Sequence, residues 1–128
     1  MSHMEEVERR SAALYKAPRV SLDDIKNAIA AEYFTNGQIA IGPDVPVMPN
    51  MHLLTLCILV MKNGFMVVGK SAPASPENFN AAYGRELAKE DAIKQVWPLM
   101  GYALRDRLDR DKNPWNYGLT PPQNDTGA

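Results

Sequence analysis

The alternation of apolar and polar positions divides the chain into a few elements, and the most apolar is Met51-His-Leu-Leu-Thr-Leu-Cys-Ile-Leu-Val-Met61. Lys62-Asn63-Gly64 follows, then a second apolar run from Phe65 to Lys70. Asn-Gly between two such runs is the strongest short-range hairpin signal, because both central residues of a type I′ turn need positive φ. The spacing therefore predicts an antiparallel hairpin of residues 51–61 and 65–71. The first strand is apolar on both faces: Leu54, Leu56, Ile58 and Val60 point one way, and Leu53, Cys57, Leu59 and Met61 the other. Each face needs a cover. The chain's own helices can supply one, and a second copy of the chain is the natural source of the other.

Around this hairpin the helical period recurs. Residues 5–17 are charged and helix-prone up to Pro18. Ser21 followed by Asp24 has the form of a capping box, and Leu22, Ile25, Ala28, Ile29 and Tyr33 repeat at helical spacing, which predicts an amphipathic helix over 22–34. Gln38–Ile41 reads as a short strand, and 42–50 as an extended loop with three prolines. Ser75 as N-cap and Pro76 at the first helical position open a helix predicted to run to about Trp97. Its stripe changes direction, from Phe79, Tyr83 and Leu87 to Ala92, Ile93 and Val96, so it touches two surfaces. Pro98 starts or kinks a last helix carrying Leu104 and Leu108. From Arg110 the chain is polar, and a poorly ordered tail is expected on which Trp115 and Tyr117 dock. The fold class expected is α+β, an antiparallel sheet built on a central hairpin with an N-terminal helix and two C-terminal helices. Residues 21–109 form the single domain, with an extension over 1–20 and a tail over 110–128.

Composition narrows the function classes. A chain of 128 residues with 14 Lys and Arg against 15 Asp and Glu has no electrostatic footprint for duplex DNA. The lone Cys57 gives neither a disulfide framework nor a thiolate metal site, and the expected compartment is the reducing cytoplasm. No apolar run approaches the roughly 20 residues that span a bilayer. Gly64-Phe-Met-Val-Val-Gly69-Lys70-Ser71 matches the phosphate-loop pattern by letter. A working loop follows a strand and opens a helix, however, and here the intervening residues form a strand while Pro73 and Pro76 block a helix at Lys70. His3 and His52 lie too far apart in sequence to suggest a metal site, Cys57 is a core residue, and no nucleophile, base and orienting acid can be assembled. No enzymatic activity, metal or cofactor is expected.

One set of residues has the chemistry of a nucleotide site. Arg85 and Lys89 are i, i+4 neighbours, and Asn78 and Phe79 precede them on the same segment. Cations bond phosphate, an aromatic ring stacks on a base, and an amide reads its edge. Read alone, the same residues fit an ordinary solvated helix face with Phe79 in the core.

Several rare dipeptides add a resemblance. Lys62-Asn-Gly-Phe65, Val68-Gly-Lys-Ser71, Ala74-Ser-Pro-Glu-Asn-Phe79, Gly84-Arg85 and Ile93-Lys-Gln-Val-Trp-Pro-Leu-Met-Gly-Tyr102 resemble, in the same order, the phage and prophage family called gene product 49. The likeness covers about residues 22–108. The chain is also similar to the Thoeris anti-defence proteins of the first type, sponges that bind cyclic ADP-ribose-type and cyclic oligonucleotide signals without degrading them. The resemblance implies a phage or prophage anti-defence protein that sequesters a cyclic nucleotide immune signal in the host cytoplasm. It also implies a homo-oligomer, a dimer or ring of dimers, with pockets between subunits. Arg85 is then the first phosphate contact, Lys89 lies one turn on, and Arg105 or Arg107 comes from a neighbouring helix or subunit. Phe65 or Phe79 stacks on the base and Asn78 reads its edge. Glu86 stands where many relatives have a second basic residue, and Lys89 replaces a common arginine, so bidentate recognition is lost there. The alternative is a phage accessory protein that acts through protein contacts and binds no small molecule.

Overall fold

The computed structural model describes residues 3–14 and 17–118. Helix α1 (His3–Leu14) is followed by α2 (Leu22–Ala28), strand β1 (Ile29–Asn36), the short helix α3 (Gly37–Ile41), strands β2 (Thr55–Met61) and β3 (Met66–Ser71), and the long helix α4 (Ala81–Lys112). The strands form one antiparallel sheet in the order β1-β2-β3. The class is α+β, as the sequence indicates.

Helices lie on one face of this sheet. Cys57, Leu59 and Met61 of β2 and Val67 of β3 pack against Ala88, Ala92, Ile93 and Val96 of α4, and Leu22 and Ile25 of α2 close the side of the same core. Met4 brings α1 into it. Arg19 and Glu8, 2.7 Å apart, tie α1 to the segment before α2, and the Trp97 indole donates to the Val20 carbonyl at 3.2 Å. The closest approach is at Gly69, where a Cβ would stand 2.0 Å from the Ala88 carbonyl oxygen. The helix thus sits almost on the backbone of β3. Its side chains also occupy that strand's free edge: Asp91 accepts from the Lys70 N–H at 2.9 Å, and Gln95 donates to the Val68 carbonyl at 2.6 Å. An edge capped in this way cannot accept another strand.

Four local expectations are corrected. The helix predicted over 22–34 stops at Ala28, because Tyr33, Phe34 and Thr35 are strand formers whose ladder with Ile58, Cys57 and Leu56 outweighs their helical spacing. The strand predicted at Gln38–Ile41 is a helical turn, capped by the Asn36 side chain accepting from the Ile39 N–H. The two C-terminal helices are one. Pro98 lies inside α4 on its exposed side, where water can serve the Lys94 carbonyl that loses its partner, while Val96 and Met100 hold both halves on the core. That helix begins at Ala81 with Asn80 as N-cap. Ser75 bonds the Glu77 carboxylate instead, and Pro76–Asn78 is a single 3₁₀ turn.

The hairpin pairs over Thr55–Met61 and Met66–Ser71, shorter than expected because Met51–Leu53 is a 3₁₀ turn and not the start of the strand, and it turns differently. Gly64 alone has positive φ, at 90°, and Gly64 N–H donates to the Met61 carbonyl at 2.8 Å. This is the three-residue loop in which a type I turn ends on a left-handed glycine, rather than type I′. Lys70 and Ser71 lie on β3 and not at a helix start, so the phosphate-loop pattern has no phosphate-loop geometry. Beyond α4, Pro114–Tyr117 folds back, with the Tyr117 hydroxyl donating to Asp109 at 2.9 Å and the Arg110 guanidinium 4.8 Å from its ring. The rest of the expected tail, 119–128, lies outside the described residues.

Candidate functional site

The start of α4 is where the sequence placed the candidate site. Asn80 closes the first turn by accepting from the Tyr83 N–H at 2.9 Å, and the remaining free N–H groups and the helix dipole make this end favourable for an anion. Two cavities open beside it. One, of about 200 Å³, is walled by Phe34, Asn36, Ile39, His52, Phe79 and Arg85. The other, of about 240 Å³, lies over Ser71, Asn78, Asn80, Tyr83 and Gly84. Thr55 and Phe79 border both, so the two hollows adjoin, and together they make up the candidate groove.

The groove combines stacking surfaces with a cation. His52 and Phe79 meet edge to face, with centroids 5.9 Å apart and planes at 83°. Phe34 keeps 36% of its surface exposed across the cavity. Arg85, exposed on the first turns of α4, has no ion-pair partner among the described residues. Gly84 keeps the wall low, since a Cβ there would lie 2.9 Å from the Thr55 hydroxyl oxygen. Beneath the site Cys57 is buried, and its thiol is pushed up chiefly by desolvation and further by Glu32. A protonated thiol in a core is chemically quiet. No group of three metal-binding side chains occurs among the described residues.

The candidate residues divide accordingly. Arg85 and Phe79 share the first cavity, and Asn78 lines the second. Lys89 lies one turn further, but its ammonium is 2.7 Å from the Glu32 carboxylate, which already neutralises it. Phe65 is at the hairpin tip and borders a different hollow, with Met61, Leu99 and Met100. Arg105 and Arg107 stand about 30 Å along α4 from Arg85, at 1.5 Å per residue, and within one chain cannot meet it. Sequence reasoning missed Phe34, Asn36, His52 and Tyr83 as cavity residues. Phe34 falls inside the stretch whose spacing predicts a helix, and His52 falls inside the apolar run predicted to be a strand. For Phe34 and Asn36 the available signal was the strand propensity of Tyr33-Phe34-Thr35.

Sequence comparison bears on identity once this geometry is in view. A family model described as "Phage protein (N4 Gp49/phage Sf6 gene 66) family" matches residues 20–108, from just before α2 to near the end of α4. The chain belongs to that phage protein family. The matched stretch contains the whole sheet, the groove and Arg85, whereas α1 precedes it. No curated protein and no solved structure matches the chain. Among the described residues, no helix of this family member is long and apolar enough to cross a membrane.

Proposed function

We propose that this phage protein is a binding protein that sequesters a cyclic nucleotide immune signal, of the cyclic ADP-ribose or cyclic oligonucleotide kind, without degrading it. The observation that carries this reading is the meeting of an unpaired Arg85 with Phe34, His52 and Phe79 around one groove at a helix N-terminus. Arg85 supplies a charge-assisted contact to phosphate, the aromatic rings supply stacking, and Asn78 in the adjoining hollow supplies edge hydrogen bonds. Each hollow is smaller than the roughly 300–1,000 Å³ of common ligand sites, so a nucleotide spans both. Nothing in the groove performs chemistry in this reading.

Losing a charge-assisted contact costs about 1.5–3 kcal/mol, so Arg85→Ala should weaken binding roughly ten- to a hundred-fold. The experiment incubates the protein with a cyclic nucleotide panel, releases the ligand by heat, and follows with calorimetry on Arg85→Ala and on Lys112→Ala as a control. Intact nucleotide recovered from the wild type, and selective loss with Arg85→Ala, support the reading. Altered nucleotide points to an enzyme, and equal affinities for both variants remove the site. A second reading, an accessory protein acting by protein contact without a small ligand, draws on the uncovered apolar face of the sheet and predicts that the panel yields nothing.

A further inference from the structure

Thr55 is the only polar residue buried among the described residues, with 6% of its surface exposed, and it lies on the middle strand of the sheet. Its hydroxyl has no hydrogen-bond partner among those residues, yet Thr55 borders both hollows of the groove. Buried polar groups are nearly always bonded, and one left without a partner beside a cavity points to a ligand. The neighbouring amides are already engaged: Asn36 accepts from the Ile39 N–H and Asn80 from the Tyr83 N–H, each at 2.9 Å. On its helix side the Thr55 oxygen is kept free by Gly84, where a Cβ would stand 2.9 Å from it. Thr55 pairs with Asn36 on one side and Ser71 on the other, so two ladders fix its backbone before any ligand arrives.

We infer that Thr55 is the group with which the groove recognises a ribose hydroxyl, so that the site takes ribonucleotides in preference to 2′-deoxyribonucleotides. The inference rests on the nucleotide reading above, in which Arg85 in the first hollow meets phosphate and Asn78 in the second meets the base edge. In a nucleotide the sugar joins those two groups, and Thr55 stands where the two hollows adjoin. The second hollow has the chemistry for it. None of its lining residues is charged; Thr55, Ser71 and Tyr83 bring hydroxyls to it and Asn78 and Asn80 bring amides, a lining suited to a neutral, hydroxyl-bearing ring. A ribose hydroxyl both donates and accepts, as a threonine hydroxyl does, so one bond between them satisfies both groups. A deoxyribose ring seated in the same place would shut the Thr55 hydroxyl off from water and give it no bond in return, which is the physical source of the preference.

Calorimetry on the whole protein with cyclic di-AMP, cyclic di-GMP and cyclic ADP-ribose, each beside its 2′-deoxy counterpart, tests this. Wild type should bind the ribose form about ten-fold more tightly than the deoxy form. Thr55→Val keeps the shape of the side chain and removes the hydroxyl, so it should bind both forms alike, at the weaker affinity. Thr55→Ser retains the hydroxyl and should keep the preference. Gly84→Ala, whose new Cβ crowds the Thr55 oxygen, should lose the preference as Thr55→Val does. Because the hydroxyl has no bond to give up within the chain, Thr55→Val should melt no lower than wild type in circular dichroism. A lower melt would mean that the hydroxyl is already bonded in the folded chain, which overturns the inference. A wild type that binds both forms equally, or a Thr55→Val variant that keeps the preference, also overturns it and leaves sequestration standing. A wild type that binds none of the probes overturns the nucleotide reading and this inference together.

Discussion

Replacing Gly69 by alanine tests the packing on which the groove and the core both depend. The new Cβ would stand 2.0 Å from the Ala88 carbonyl oxygen, 2.5 Å from the Ala92 nitrogen and 2.8 Å from the Ala92 Cβ. Ordinary contact begins at 3.4 Å, so β3 and α4 must separate by about 1.4 Å. The two nearest atoms are backbone, and no rotamer change relieves them. Overpacking a core costs about 1–3 kcal/mol, and a clash with an unyielding helix belongs at the upper end, about 3 kcal/mol. For a domain between the small and medium size classes, 1 kcal/mol shifts Tm by about 3–5 °C, so Gly69→Ala should melt about 10–15 °C lower. Gly101→Ala is the matched control. It lies inside the same helix with nothing within 4 Å of its would-be Cβ, and it should gain about 0.5–1 kcal/mol from helix propensity alone. Thermal melts followed by far-ultraviolet circular dichroism compare the two. If Gly69→Ala melts within about 2 °C of wild type, the strand and helix are not in the contact described.

Two further predictions concern capping and pH. Ser21 accepts from the Asp24 N–H at 3.0 Å while the Asp24 carboxylate accepts from the Ser21 N–H at 2.9 Å, so Ser21→Ala should cost about 1 kcal/mol in chemical denaturation. The Ser21 backbone bond, then its hydroxyl, hold the Asp24 carboxyl below its ordinary range. A depressed carboxyl stabilises above its unfolded pKa and loses that contribution as pH falls through the folded one, so the stability gap between wild type and Asp24→Ala should be full at neutral pH and close below about pH 4. Tyr117 is pushed up to about 12 by donating to Asp109. The bond therefore stabilises the folded-back segment below the phenol's ordinary pKa and is lost as pH rises through about 12. Spectroscopic titration should find one tyrosine that ionises late, and Asp109→Asn should return it to about 10; a wild type without such a tyrosine would show that Pro114–Tyr117 does not dock on α4.

The local signals in the chain were strong where a few neighbouring residues decide the outcome. Asn63-Gly64 between two apolar runs settles the hairpin, Ser21 and Asp24 settle the start of α2, and the position of the candidate groove follows from Arg85 and Phe79 standing just after the hairpin's exit. Contacts between distant segments decided the rest. Helical spacing from Leu22 to Tyr33 is real, but from Ile29 onward the backbone finds better partners in β2, and the choice between the two lies 26 residues downstream, in the ladder of Asn36 with Thr55 through Ile29 with Met61. Pro98 looks like a helix boundary because its local cost is certain, whereas the packing of Val96 and Met100 that carries α4 through it is visible only in three dimensions. The same holds for the site. The sequence supplies a cation and an aromatic ring on one segment, and only the fold brings Phe34 and His52 to them, pairs Lys89 with Glu32, and sends Phe65, Arg105 and Arg107 elsewhere. Short-range preferences are fixed by the residues that carry them, while burial and pairing are properties of surfaces that exist only once the chain has closed on itself.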